Sequence, residues 1–263
     1  MTEERSERQS REYRKRDYRS VAEGQGFSFT LRVAESDLWI AAARPGLEVM
    51  ARDSLLRHRC SLEGFLESFP EWGESLAPVA AAGYPLAPPL ARRMMTAATT
   101  AGVGPMAAVA GVIAEAVGRD LLASSEWVVV ENGGDIFLAG RDFWRLALFA
   151  GNSPLSGRLG IELRASDPFV CGVCTSSASV GHSLSLGRAD AVTIVAENAA
   201  LADAAATAAA NRVRKPRDLA RVVEDILQLS GVTGAVAVLG DSLAAGGELE
   251  LVELSSKSVS VSL

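Results

Sequence analysis

A run of 21 residues without a single charge, Met94 to Ala114, follows directly on Arg92 and Arg93 in this 263-residue chain, and it allows only two kinds of architecture. Either the run crosses a bilayer or the rest of the protein wraps around it. Its composition decides between them. It is mostly Ala, Gly and Thr, with Gly102, Gly104 and Pro105 in its middle, and its few large apolar residues cannot supply the insertion energy of a Leu or Ile run. The expectation is therefore two buried helices meeting at a Gly102-Val103-Gly104-Pro105 turn, with no membrane span. Covering two such helices needs a large core. Hydrophobic residues at 48% and charged residues at 22% are the proportions of a globular chain that can build one.

The net charge of −6 excludes a cationic footprint over the whole surface, so nucleic acid is not an expected partner. Three cysteines, Cys60, Cys171 and Cys174, are too few for a disulfide scaffold and favour a reducing compartment, the cytoplasm. Residues 1–20 alternate Arg with Glu and contain no apolar h-region, which reads as a charged arm; residues 21–263 read as one domain.

Phe27, Phe29, Leu31 and Val33 alternate with polar residues, and Leu38-Trp39-Ile40 follows across Glu35-Ser36-Asp37, so a β-hairpin is expected there. Leu47, Met50, Leu55, Leu62 and Leu66 recur at helical spacing up to Pro70. From Trp127 the texture becomes short β-like runs: Trp127–Val130, Asp135–Leu138, Trp144–Phe149, Leu159–Leu163, Val170–Cys174 and Ala191–Val195. An Ala-rich helix (Asn198–Arg212), a second helix (Arg217–Leu229) and two closing strands (Ala235–Leu239, Leu249–Val252) complete the chain. Strands cluster instead of alternating one for one with helices, which predicts an α+β fold with antiparallel sheets packed against helix pairs.

Several motifs carry two readings. Gly240-Asp241-Ser242-Leu243 resembles an esterase nucleophile block, but no His follows it and a hairpin turn explains it better. Cys171-x-x-Cys174 is a redox dithiol, half a zinc site, or two packing thiols; its strand-like setting favours packing. Glu131-Asn132-Gly133-Gly134-Asp135-Ile136 is either a tight hairpin or a glycine bend where a planar or anionic ligand approaches the backbone. Asp203 and Thr207, at i and i+4 on one face of an Ala-rich helix, supply two oxygens that suit a hard ion such as Mg²⁺; the plainer reading is an exposed or capping Asp. Thr175-Ser176-Ser177 with His182 offers hydroxyls for phosphate and an acid or base, or is a Ser-rich turn.

In order, Gly133-Gly134-Asp135-Ile136, Thr175-Ser176-Ser177 with His182, and Val192–Ala196 leading into Ala202-Asp203-Ala204-x-x-Thr207 resemble the motifs of the ApbE family of flavin-binding FMN transferases. With Gly104-Pro105-Met106-Ala107-Ala108-Val109-Ala110-Gly111 included, the chain looks most like the small ApbE-like branch. The resemblance implies a T-fold type architecture, bound FAD or a related nucleotide, and Mg²⁺ held by Asp203, Thr207 and a backbone carbonyl. It implies cofactor contacts at Asn132, Gly133, Gly134, Asp135, Thr175, Ser176, Ser177, Met106 and Ala107. His182 and Asp203 become the expected catalytic groups, and an acceptor protein with a Thr or Ser hydroxyl the expected second substrate. A homodimer is left open. Where the family has Gly-x-Ala-Lys-Gly-Tyr, the stretch Pro105–Gly111 has neither Lys nor Tyr, so nucleotide binding with slow or absent transfer is expected. A binding module without catalysis and a purely structural protein are the alternatives.

Overall fold

The computed structural model describes residues 26–177, 187–254 and 261–262. The charged arm and His182 both lie outside the described residues. The expected first hairpin is present: β1 (Phe27–Val33) pairs antiparallel with β2 (Ser36–Ala42). Helix α1 (Glu48–Ser68) follows, and Pro70 opens a short second helix, α2 (Pro70–Glu74), in the first-turn position where its missing N–H costs nothing. Helix α3 (Pro89–Ala101) ends at Gly102, whose φ of 74° needs a residue without a Cβ. A single 3-10 turn (Pro105–Ala108) leads into α4 (Val109–Leu121).

The charge-free run is thus two helices bent by 102° at the glycine-proline turn. Met94, Ala98, Val112 and Ala114 are fully buried within it. Among the described residues no single helix is long and apolar enough to cross a membrane.

The strands form one ten-stranded sheet rather than several. Strands β3 (Val128–Asn132), β4 (Asp135–Ala147), β5 (Leu159–Ser176), β6 (Ala191–Ala196), β7 (Val232–Leu239) and β8 (Ser242–Gly247) continue the order from β1, each antiparallel to its neighbour. Strand β9 (Glu250–Glu253) pairs antiparallel with β5, and β10 (Val261–Ser262) pairs parallel with β4. Four expected short runs merge into the long strands β4 and β5. Polar residues such as Arg141 and Asp142 interrupt the apolar pattern there, but the ladder continues through two register shifts between Ala139 and Phe143. Such irregularities bend a ribbon without ending it. The expected esterase-like block is a hairpin: Leu239 pairs with Ser242 across Gly240-Asp241.

Two cores form on opposite sheet faces. Phe137, Cys174, Val192 and Ile194 face the helices, whereas Ile136, Val173 and Val195 share a second cluster with Trp144, Leu146, Ile161 and Leu163 from the far halves of β4 and β5. The bent β4–β5 ribbon therefore covers the face that the helices leave bare. Cys171 belongs to this second cluster and Cys174 to the first, so the two thiols point to opposite sides of the sheet and cannot bridge. Burial pushes the Cys171 thiol up to about 12. Cys174 Sγ donates to the Ala199 carbonyl at 3.4 Å.

Helix α5 (Ala199–Arg212) lies at the centre, followed by α6 (Leu219–Ile226). Its alanines give it high intrinsic helix propensity but no apolar stripe, and every residue from Ala199 to Ala210 is buried. Small side chains let neighbouring backbones come very close. A Cβ added to Gly111 of α4 would lie 2.2 Å from the Ala199 carbonyl oxygen, and one added to Gly172 of β5 would lie 2.3 Å from Ala199 Cα. The helix is gripped at one residue by glycines from two elements.

Candidate functional site

Asn198 caps α5 by accepting the Leu201 N–H at 2.9 Å, which fixes the helix start and hence the direction of Asp203 one turn later. Asp203 faces α4, where its Oδ2 accepts the Gly111 N–H at 2.9 Å. The preceding carbonyl, Ala110 O, accepts from Asn132 Nδ2 at 3.1 Å. Asn132 and Asp135 form the closing pair of the β3–β4 hairpin. Asp203, the Ala110–Gly111 peptide, Asn132 and Asp135 thus belong to one connected constellation, with Thr207 one helical turn along from Asp203.

The constellation is acidic and closed to water. Asp135 and Asp203 are 8% and 9% exposed. Burial raises the Asp203 pKa to about 7, against the opposing pull of the Gly111 and Ala110 amides. Asp135 is raised well above the usual carboxylate range, first by burial and then by the negative charge of Asp203. Two polar atoms remain unpartnered. Asp135 Oδ1 and Ser176 Oγ are both buried without a hydrogen-bond partner. An unpaired buried oxygen costs on the order of 1–3 kcal/mol, and the indole nitrogens of Trp72 and Trp144 are unpartnered in the same way elsewhere in the fold.

The structure sorts the remaining expected contacts. Of Thr175-Ser176-Ser177, the strand alternation puts only Ser176 on the helix-facing side with Cys174. Thr175 lies with Val173 on the opposite face, its hydroxyl 2.8 Å from that of Thr193. Ser177 lies just beyond β5. Met106 and Ala107 sit on the 3-10 turn before α4, half-buried against the helix-side core. Gly133 and Gly134 have φ of 73° and 105°, so the glycine pair is a tight hairpin. Gly133 is exposed and Gly134 buried, and among the described residues a Cβ on Gly134 would meet the Thr175 carbonyl at 3.8 Å, an ordinary contact. Glu131 braces the turn by accepting the Gly134 N–H at 2.9 Å. Gly134→Ala is expected to lose about 1 kcal/mol or more from backbone strain alone, read as a shifted urea midpoint with unchanged slope. An unshifted midpoint would contradict the turn geometry.

Sequence reasoning missed Glu115 and the amide of Gly111. In each contact one partner is a backbone N–H, that of Gly111 to Asp203 and that of Ala199 to Glu115, which residue patterns do not display. Among the described residues no group of three or more His, Cys, Asp or Glu side chains is arranged to hold a metal.

A family model described as AbpE bacteria matches residues 19–244. The chain belongs to the ApbE-like family. Among curated relatives, a UPF0280 protein of Methanocella arvoryzae is 39% identical over 219 residues, covering 83% of this chain and 87% of its own. A UPF0280 protein of Methanocaldococcus jannaschii is 36% identical over 233 residues, covering 86% and 93%. The fold is shared with the ApbE protein of Thermotoga maritima (TM-score 0.53, 14% identity, 86% and 96% coverage). It is likewise shared with the flavin transferase ApbE of Vibrio cholerae (TM-score 0.54, 11% identity, 88% and 97% coverage). This ApbE-like chain keeps its acidic constellation at the junction of α4, α5 and the β3–β4 hairpin.

Proposed function

We propose that this member of the flavin-transferase superfamily binds a flavin nucleotide, FAD or FMN, together with Mg²⁺, at Asp203, Thr207 and the Asn132–Asp135 hairpin. The observation that supports the reading is Asp135 Oδ1, buried and unpartnered among the described residues, near enough to the buried Asp203 for the two charges to oppose each other, with Thr207 one turn along the same helix. These are hard oxygen donors, the set that Mg²⁺ prefers, and its shell would be completed by backbone carbonyl, ligand phosphate and water. A bound Mg²⁺ neutralises charge on the phosphates.

The chain's own residues do the rest. Asp203 must release its proton to hold a cation, and the Gly111 amide keeps its carboxylate aimed in one direction. Asn132 fixes the Ala110–Gly111 peptide against the hairpin. Pro105–Gly111 brings no Lys or Tyr to the site, so binding without fast transfer is the expected behaviour. In a transfer reaction an acceptor hydroxyl oxygen would bond to the FMN phosphorus, the bond to AMP would break, and the hydroxyl proton would pass to Asp203 or His182. A carboxyl titrating at about 7 is the one feature that favours this second reading.

The test is incubation with FAD, Mg²⁺ and a Ser/Thr peptide, followed by mass spectrometry for an FMN adduct and chromatography for AMP and FMN. Expected is stoichiometric, Mg²⁺-dependent nucleotide retention with little or no adduct. Rapid flavinylation abolished by His182→Ala would make the protein an enzyme, and failure to retain FAD or FMN at all would refute the proposal.

A further inference from the structure

Arg92, Arg93 and Arg119 line a cleft of about 640 Å³ between α3, α4 and the start of α5, and the Asp203 constellation makes no use of it. Asp203 is not part of its wall. Glu115, one turn beyond Gly111 on α4, accepts the Ala199 N–H at 3.0 Å and so marks where the cleft begins. The side chain of Glu115 is 1% exposed and its oxygens are taken: Oε1 accepts from Arg119 Nε at 2.7 Å, and Oε2 lies 2.5 Å from an Arg93 terminal nitrogen. Each guanidinium is held by one nitrogen and stays partly exposed, Arg93 at 34% and Arg119 at 49%. Arg92 is fixed differently, donating to the Ala87 and Pro85 carbonyls at 2.8 and 2.5 Å.

Three arginines therefore face two wall carboxylates, Glu115 and Glu197, of which Glu115 is spent on holding them in place. Guanidinium forks held rigid at a concave surface match the paired oxygens of phosphate and carboxylate. Thr96 and Thr100 add hydroxyls to the wall, and among the described residues no aromatic side chain lines it to stack a base. The volume falls within the range of small-molecule sites. The geometry points to a second ligand site here, for a compact anion carrying two or more phosphate or carboxylate groups and no nucleobase. It is independent of the metal-nucleotide reading.

Pyrophosphate titrated into the full-length protein in Mg²⁺-free buffer, followed by calorimetry, tests the site. Binding is expected, weakening as salt rises. Arg119→Lys keeps a charge beside Glu115 but loses the fork, and Arg92→Gln removes a guanidinium bonded only to backbone carbonyls; each should weaken binding about tenfold or more. Asp203→Asn should leave pyrophosphate affinity unchanged while removing Mg²⁺-dependent FAD binding, which separates the two sites. A tricarboxylate such as citrate as competitor distinguishes the anion source: displacement places carboxylates in the same site, and its absence restricts the site to phosphate. No pyrophosphate binding, affinity unchanged from the parent in both arginine variants, or loss in Asp203→Asn would each overturn the inference.

Discussion

Replacing Gly172 with alanine is expected to cost more than about 3 kcal/mol, a large share of the ~5–15 kcal/mol that holds a domain folded. The added methyl would lie 2.3 Å from Ala199 Cα and 2.5 Å from Ala199 N, and backbone atoms inside a helix cannot swing aside as a flexible side chain can. Gly111→Ala should be of similar severity, because its methyl meets the Ala199 carbonyl oxygen at 2.2 Å and Asp203 Cβ at 2.9 Å. Both clashes are relieved by the same outward shift of α5. The double variant should therefore cost clearly less than the sum of the single ones in urea unfolding. Gly64→Ala supplies the contrast: it lies within α1, nothing stands within 4 Å of the added methyl, and a gain of about 0.5–1 kcal/mol is expected. Additive losses at Gly111 and Gly172 would show that the two glycines do not grip the same residue.

The second large effect is a pH dependence with an unusual sign. The folded-state pKa of Asp203 is raised from 3.8 to about 7, mainly by burial, so the folded protein holds a proton that the unfolded chain has already released. The stability contribution is complete below the unfolded value and is lost as pH rises through the folded one. Metal-free protein should therefore become less stable between about pH 4 and pH 8, by an amount on the order of a few kcal/mol, where most carboxylates act in the opposite sense. Asp135, raised for the same reason and by the charge of Asp203, adds to the trend. Asp203→Asn should flatten the profile, raise the metal-free melting temperature at pH 8 and, on the proposed Mg²⁺-nucleotide reading, abolish the rise in melting temperature expected when both are added to the parent protein. If the melting temperature of the metal-free parent climbs through this range, or if Asp203→Asn responds to Mg²⁺ as the parent does, Asp203 is not a buried acid awaiting a cation.

Much of this architecture can be read from residue patterns, and the exceptions share a cause. Alternation identified β1, and the lack of charge from Met94 to Ala114 identified two buried helices, because both signals come from side chains that choose between water and core. The length of β4 and β5 was hidden because backbone pairing continues through Arg141 and Asp142, where the side-chain pattern breaks. Strand β8 was missed since Ser242–Gly247 offers no large apolar residue beyond Leu243. At the site, Asp203 and Thr207 stood out as oxygens among alanines. The division of Thr175 from Ser176 followed only from strand register, and the grip on α5 consists of atoms that glycine lacks. What a missing side chain permits is visible only when the facing backbone is in place.

Helix α5 has a consequence for the timing of folding and for exchange with solvent. A helix of alanines gains little from burying any single side chain, and its stabilisation depends on α3, α4, β5 and β6 all standing around it. Its amides should then exchange with deuterium only when the whole molecule opens, at the slowest rate in the protein. Asp203 and Thr207 ride on that helix, so their oxygens exist as a pair only in the fully assembled chain. A partly folded intermediate would have no place to hold a cation, and any ligand captured at these oxygens acts as a latch on the last step of assembly.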